Sequence, residues 1–188
     1  MNNEPRLPAG QRLTEDWPIL HYGSIPSISL DDWSFKIDGL VENSIDINWS
    51  DFMNLPQTKV VSDIHCVTTW SKYDNQWEGV LINELLKICQ PKDNAMHVMF
   101  HSYGGYTTNV PLKDLQFDNV LIAHSHNGST ITSEHGGPAR GVVPHLYFWK
   151  SAKWVNRMEF ITEEQAGFWE NYGYHIYGDP WKEERYSS

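Results

Sequence analysis

Apolar and polar positions alternate in Trp33-Ser34-Phe35-Lys36-Ile37-Asp38 and then meet Gly39. That is the pattern of a strand with one buried face, closed by a turn. Lys59 to Val67 is rich in β-branched residues and reads as a second strand, with Cys66 near its end. Met96–Phe100 and Asn119–His124 are further short apolar runs, and the second ends before Asn127-Gly128, a strong hairpin turn signal. Trp154 to Ile161 alternates again. Two segments have helical character. Trp49 to Met53 predicts a short helix with Ser50 as N-cap, stopped before Pro56. Gly79 to Cys89 places Leu81, Leu85, Ile88 and Cys89 on one face of a second helix. No regular βαβ rhythm and no internal repeat is present, so the expected class is α+β, with mixed β-sheets and short helices. Residues 1–16, polar and carrying Pro5 and Pro8, read as an extended N-terminal arm on a single domain spanning 1–188.

Composition narrows this. With 188 residues, 40% hydrophobic and 20% charged, the chain is neither disordered nor fibrous. No window approaches 18 consecutive apolar residues, so no membrane span is expected. Of nine Trp, nine Tyr and seven Phe most are expected in the core, and the surplus of Trp suggests a cleft with flat, rigid walls. The aromatic stretch from Gly167 to Ser188 is expected to pack back on the domain or to cover that cleft or a partner. The net charge of −10 argues against a nucleic-acid partner. Yet His135 to Met158 holds Arg140, Lys150, Lys153 and Arg157 with no Asp or Glu, a patch that suits a small anionic ligand. Two cysteines indicate no disulfide framework. The segment MNNEPRLPAGQRL has no apolar h-region, twin-Arg pair or cleavage site, so the expected location is cytoplasmic, with reduced thiols.

Three constellations carry candidate chemistry. Cys89 lies on an apolar helix face and reads as core. Cys66 leaves a strand and enters Val67-Thr68-Thr69-Trp70-Ser71-Lys72, where His65 and Lys72 are the groups able to hold a thiolate. A nucleophile, a soft metal ligand and a merely structural thiol all remain open. His135-Gly136-Gly137-Pro138-Ala139-Arg140 and Lys150-Ser151-Ala152-Lys153 read either as a solvated basic face or as an anion cradle. In the cradle the glycines admit backbone close to a ligand, Arg140 offers a planar fork and Lys153 a point charge. His124-Ser125-His126 offers two imidazoles on one strand face for zinc, against the plainer reading of two histidines at a turn.

Taken together these stretches resemble the molybdopterin-binding domain of the sulfite oxidase family. The segments that carry the resemblance are WSFKIDGLV (33–41), DIHCVTTWS (63–71), WEGV (77–80), VLIAHSHNG (120–128) and HGGPARGVVPHLYFWKSAKW (135–154). The chain is closest in kind to the short prokaryotic sulfite-oxidase-like oxidoreductases, and similar to the catalytic subunits of bacterial methionine sulfoxide reductases. The resemblance implies a molybdenum cofactor, molybdopterin, with Cys66 as the protein's thiolate ligand to the metal. It implies cofactor contacts from His135, Arg140, Ser151, Ala152 and Lys153, and more loosely from His21, Tyr22, His65, His101 and Ser102. Trp70, Lys72 and His124 would line the substrate side, with His124 a proton carrier. A small-molecule substrate and a separate electron-transfer protein follow, since no haem or Fe–S ligand pattern is present. Sulfite oxidases carry several arginines just after the Cys; here that run holds one cation, Lys72. A neutral sulfoxide or N-oxide is therefore expected ahead of sulfite. The rival expectations are a zinc hydrolase built on the histidines and a binding module for a pterin or another anion.

Overall fold

A computed structural model describes residues 5–187, so the first four residues of the expected arm lie outside the described residues. Five strands form one sheet in the order β3 (Ile45–Asn48), β2 (Ser34–Gly39), β11 (Val155–Ile161), β6 (His97–Ser102), β7 (Thr107–Pro111). The other sheet follows β1 (Arg12–Leu13), β5 (Trp70–Leu81), β8 (Leu121–His126), β10 (Arg140–Val142). In addition β4 (Gln57–His65) pairs with β5, and β9 (Ser129–Thr130) with β8. Both sheets are mixed: β1 runs parallel to β5, and β2 parallel to β11. The helices α1 (Trp49–Asn54), α2 (Ile82–Cys89), α3 (Leu112–Leu115) and α4 (Phe168–Asn171) are all short. The fold is thus the expected α+β class. Among the described residues no helix is long and apolar enough to cross a membrane.

One apolar core joins the two sheets. Phe35 and Ile37 from β2, Phe100 from β6, and Met158 and Phe160 from β11 meet Val80, Ile122 and the buried face of α2. A second cluster gathers Ile64, Cys66, Trp70, Trp77, Leu121, Ala123 and Tyr147. Ile122 enters the first cluster while its neighbours Leu121 and Ala123 enter the second, as the period of two along a strand requires.

Several local expectations change. Asn48, not Ser50, caps α1, its side chain accepting from the Asp51 amide at 2.9 Å. Residues 79–81 finish β5, and α2 begins only at Ile82. Gly79 lies so close to the next strand that a Cβ there would meet the Ile122 oxygen. The buried face of α2 is therefore Ile82, Leu85 and Cys89, and Ile88 is 42% exposed. The first half of β5 lay hidden because its inward positions include polar Ser71 and Asn75, which erase the apolar alternation. Both are satisfied by hydrogen bonds: Ser71 to His65, and Asn75 to Ser62, Lys72 and His126.

Candidate active site

Cys66 occupies the tight turn between β4 and β5. Its amide donates to the Trp70 carbonyl at 2.8 Å and its carbonyl accepts from the Thr69 amide at 3.0 Å. Thr69 takes a left-handed conformation (φ 76°) to close the turn. The thiol is 8% exposed, with Sγ 3.1 Å from Thr68 Oγ1. Burial pushes its pKa up; the Thr68 hydrogen bonds and the charges of Arg185 and Lys153 oppose that rise.

The cations near the thiol are thus not those the sequence suggested. His65 is fully buried, its Nδ1 2.8 Å from Ser71 Oγ and its ring edge-on to Trp181. Burial brings its pKa down to about 4, so at neutral pH it carries no charge. Lys72 donates to the Glu15 carbonyl at 2.7 Å and does not line the cavity in front of the thiol.

That cavity measures about 540 Å³. Cys66, Val67, Thr68 and Trp70 line it from the hairpin, and Trp17, Pro18 and residues 20–24, including His21 and Tyr22, cross one side. The Gly104-Gly105 turn lies on another side, and Phe168, Trp169 and Tyr174 come from the C-terminal segment. Arg140, Ser151 and Lys153 complete it. Among the described residues no Asp or Glu lines this cavity.

The cradle residues do converge, but differently from expectation. Arg140 is buried, and its guanidinium turns toward the chain itself, donating to the carbonyls of His135 (2.6 Å) and Ser151 (2.8 Å). It lies 4.2 Å from the Phe148 ring centre. It therefore ties the two cradle loops together and supplies charge, rather than presenting an open fork. Burial lowers its pKa to about 9. Lys153 donates to the Leu20 carbonyl at 2.7 Å and to the Glu134 carbonyl. Burial, helped by Arg140, lowers its pKa to about 7. Ser151 Oγ accepts from the Val143 amide at 2.9 Å, which leaves its own hydrogen free. The glycines also serve the cradle itself. A Cβ on Gly136 would strike the Lys153 side chain, and one on Gly137 the Ile131 oxygen. The His135 ring stacks on Trp17 at 3.8 Å, its Nδ1 buried without a partner among the described residues. Burial and the nearby Lys153 and Arg140 bring its pKa down to about 4. Ala152 is buried and its carbonyl accepts from Gly141 at 2.8 Å, locking the cradle to β10.

Other expected residues stand apart. His101 points to Glu159 (2.8 Å) on the far sheet. Ser102 is buried and does not line the cavity, although its carbonyl accepts from Gly105 in the turn that does. His124 and His126 do not share a face. The β5–β8 register slips between Glu78 and Gly79, so His124 is opposite no residue of β5. The His124 ring then packs toward Trp49 and Phe52, whereas the His126 ring packs on Trp17 and Trp77. Among the described residues no three His, Cys, Asp or Glu side chains are placed to hold a metal ion, so the zinc reading lacks a ligand set.

Two groups near the thiol were not singled out by the sequence, although the aromatic segment that bears one of them was expected to pack back or cover the cleft. Arg185 reaches back to donate to the Val67 carbonyl at 2.6 Å. Tyr174 lines the cavity from a segment more than a hundred residues beyond Cys66. The density of aromatic residues after Gly167 was the available signal for Tyr174; nothing in the sequence singles out Arg185.

Residues 22–169 match the family described as oxidoreductase molybdopterin binding domain. A Bacillus subtilis protein named uncharacterized oxidoreductase YuiH is 42% identical over 183 residues, covering 97% of this chain and 92% of its own length. The sulfite oxidase of Arabidopsis thaliana is 26% identical over 193 residues, 84% of this chain but only 49% of that protein. Among solved structures, the sulfane dehydrogenase SoxCD of Paracoccus pantotrophus matches 76% of this chain with a TM-score of 0.69 and 22% identity, and the match spans 41% of its chain. At that identity the likeness shows the fold alone.

Proposed function

Because the chain belongs to the oxidoreductase molybdopterin-binding domain family, we propose that it carries out two-electron oxo transfer on a small substrate, with Cys66 as the thiolate ligand of molybdenum. Molybdopterin is the family's cofactor. The observation that carries this reading is one buried thiol opening on a cavity that, among the described residues, holds cations and no carboxylate, in a chain of net charge −10.

The residues fit an anionic, phosphorylated cofactor. Arg140 and Lys153 set a positive field, Ser151 keeps a hydroxyl hydrogen, and the buried Nδ1 of His135 lacks a partner among the described residues. Soft thiolate sulfur suits a metal already held by dithiolene sulfur. When bound, the cofactor supplies the two-electron change and carries the oxygen atom. The chain's own residues do the rest. Thr68 Oγ1 orients Sγ, Trp70 and Phe148 exclude water, and Arg140 fixes the spacing of the two loops. Lys153, near its midpoint at neutral pH, takes up a proton as negative charge arrives.

The substrate that fits best is a neutral oxide, a sulfoxide or N-oxide. Lys72 is turned away to Glu15, and neither it nor Arg185 lines the cavity, so once the cofactor takes the charge of Arg140 and Lys153 no further cation among the described lining residues remains for a dianion such as sulfite. A separate redox protein delivers the electrons. The chain has two cysteines, and Cys89 is sealed in the apolar core, which leaves no Fe–S ligand set.

The test is Cys66→Ser. The variant is expected to fold and to keep pterin while losing oxo-transfer activity and its thiolate-to-metal absorption. Elemental analysis for molybdenum and pterin release are measured alongside. Retention of full activity defeats the assignment of Cys66.

A further inference from the structure

Residues 66–69 carry the chain round the turn that presents the thiol, and the direction of Sγ depends on how firmly their peptide planes are held. A residue has two soft backbone dihedrals, so the Cys66 side chain is aimed by the planes on either side of its Cα. The plane before it is held by the Cys66 amide, which donates to the Trp70 carbonyl at 2.8 Å. The plane after it is held through the Cys66 carbonyl, which accepts from the Thr69 amide and from Gln11 Nε2, both at 3.0 Å. The next carbonyl is that of Val67, and it accepts from Arg185 Nη1 at 2.6 Å. It precedes Thr68, whose Oγ1 lies 3.1 Å from Sγ. The hairpin thus supplies its own closing bonds, while Gln11 and Arg185 bring two more from far along the chain.

Both of these outer donors are placed there against a cost. The Arg185 side chain is 13% exposed, and its carboxylate neighbour Glu183 stands 3.9 Å away and is half exposed. Its shortest bond goes to the neutral Val67 carbonyl, and its guanidinium lies 5.0 Å from the Tyr147 ring centre. Withdrawing a cation from water toward a neutral acceptor is unfavourable. Fastening the tail does not require it, because Trp181 already bonds the Pro5 carbonyl at 3.0 Å and Tyr186 pairs with Tyr174. Gln11 tells the same story. Its Oε1 is buried without a partner among the described residues, so the side chain is kept for the Nε2 donor alone. The two ends also fit against each other beside the turn: a Cβ on Gly10 would strike Glu183 and come within 3.1 Å of Arg185 Nη2.

We propose that Arg185 is a positioning residue for Cys66: through the Val67 carbonyl, and together with Gln11 on the Cys66 carbonyl, it fixes the line along which Sγ enters the cavity. Arg185 does not line that cavity, so it acts only through the turn. What the line serves rests on the reading of Cys66 given above. A thiolate that ligates a metal must meet it at a set angle, and ligands are oriented by the groups behind them.

Arg185→Met removes the donor and keeps an apolar stem beside Tyr147, whereas Arg185→Lys keeps a charged donor. Arg6→Gln is the control, since it frees the N-terminal arm from Asp63 and Asp74 and touches neither carbonyl. Amide hydrogen exchange is followed by NMR on the cofactor-free protein, and the thiolate-to-metal absorption on the molybdenum-loaded protein. In Arg185→Met the Cys66 and Thr69 amides should exchange roughly tenfold faster, as loss of a charge-assisted hydrogen bond allows. The absorption band should shift while molybdenum content stays normal. Arg185→Lys should restore both signals, and Arg6→Gln should leave both as in the wild type. Gln11→Leu should act as Arg185→Met does, more weakly; if Arg185→Met does not fold, unchanged Cys66 and Thr69 exchange in Gln11→Leu overturns the proposal. Faster exchange confined to residues 181–187 in Arg185→Met, with the turn amides and the band unchanged, overturns the positioning role and leaves Arg185 a fastener of the tail. Equal acceleration in Arg185→Met and Arg6→Gln overturns it as well. A wild type that takes up no molybdenum overturns the ligand reading of Cys66 instead, and faster turn exchange in Arg185→Met then still upholds the hold of Arg185 on the turn.

Discussion

Lys150 and the pair Arg140/Lys153 are buried cations from the same basic stretch, and they live in opposite circumstances. Lys150 Nζ meets the Glu170 carboxylate and both oxygens of Asn109, and the two side chains of the ion pair are essentially inaccessible. Its charge is answered within the protein. Among the described residues Arg140 and Lys153 have backbone carbonyls as hydrogen-bond partners and aromatic rings beside them, and face a cavity without a carboxylate. Under the function proposed above, an anionic cofactor answers their charge. Burying a cation without a counter-ion is costly, so the second arrangement supports the proposed binding site while the first is a structural post. Arg157, from the same stretch, does neither: it forms a ladder with Asp38 and Glu159 on the other sheet.

This contrast can be broken at either end. The largest effect is expected from Lys150→Met, which leaves Glu170 buried and unpaired. It should cost about 3–5 kcal/mol in denaturant unfolding, with molybdenum per folded molecule unchanged. Next is Arg140→Ala, where lost charge-assisted hydrogen bonds are worth about 1.5–3 kcal/mol and should appear chiefly as cofactor-free protein on elemental analysis. Arg140→Lys should not restore loading, because a single ammonium cannot reach both the His135 and Ser151 carbonyls in the planar geometry seen here.

The third expectation concerns pH. Lys153 has its pKa lowered from 10.5 to about 7 in the free cavity. The unfolded chain then binds more protons between those values, so this lysine makes folding less favourable as pH falls from 10.5 to 7. An anion in the cradle reverses the sign locally. Binding of inorganic phosphate should take up as much as one proton between about pH 7 and 10, and affinity should decline as pH rises through about 7. Calorimetry in two buffers of different ionisation enthalpy measures the uptake, and Lys153→Met should abolish it. The smallest effect belongs to Lys113→Ala, an exposed charge at the end of α3, where stability should move by no more than about 0.5 kcal/mol with normal loading.

The chemistry-bearing residue types were legible in the sequence because each is local. Cys66 at the end of a strand, the double glycine, and Ser151 and Lys153 can be recognised within short windows. Directions were not legible. Arg140 sits where expected but turns its guanidinium inward, since the nearest acceptors are carbonyls of its own loops. Pairing His124 with His126 on one face assumes an unbroken period of two, and the register slip beside Glu78 defeats that. Lys72 follows Cys66 closely, yet β5 carries it toward Glu15. Tyr174 and Arg185 reach the thiol only through tertiary packing, which no window of the sequence contains.

Both distant ends of the described chain close on the Cys66 hairpin. Gln11 donates to the Cys66 carbonyl at 3.0 Å, Arg12 to Thr69 at 2.8 Å, and Arg185 to Val67 at 2.6 Å. Trp181 in turn donates to the Pro5 carbonyl at 3.0 Å, so the two ends also hold each other. Such contacts carry large loop-closure entropies and form only after both partners exist. During synthesis the apolar core between the sheets lacks only Tyr177 and the Glu170 partner of Lys150 once Ile161 has emerged, whereas the hairpin that bears the thiol stays unclamped for another two dozen residues. The expected order is that the scaffold forms first and the mouth of the cavity takes its shape last, so that under the proposed function the cofactor meets an open site before the tail fastens it.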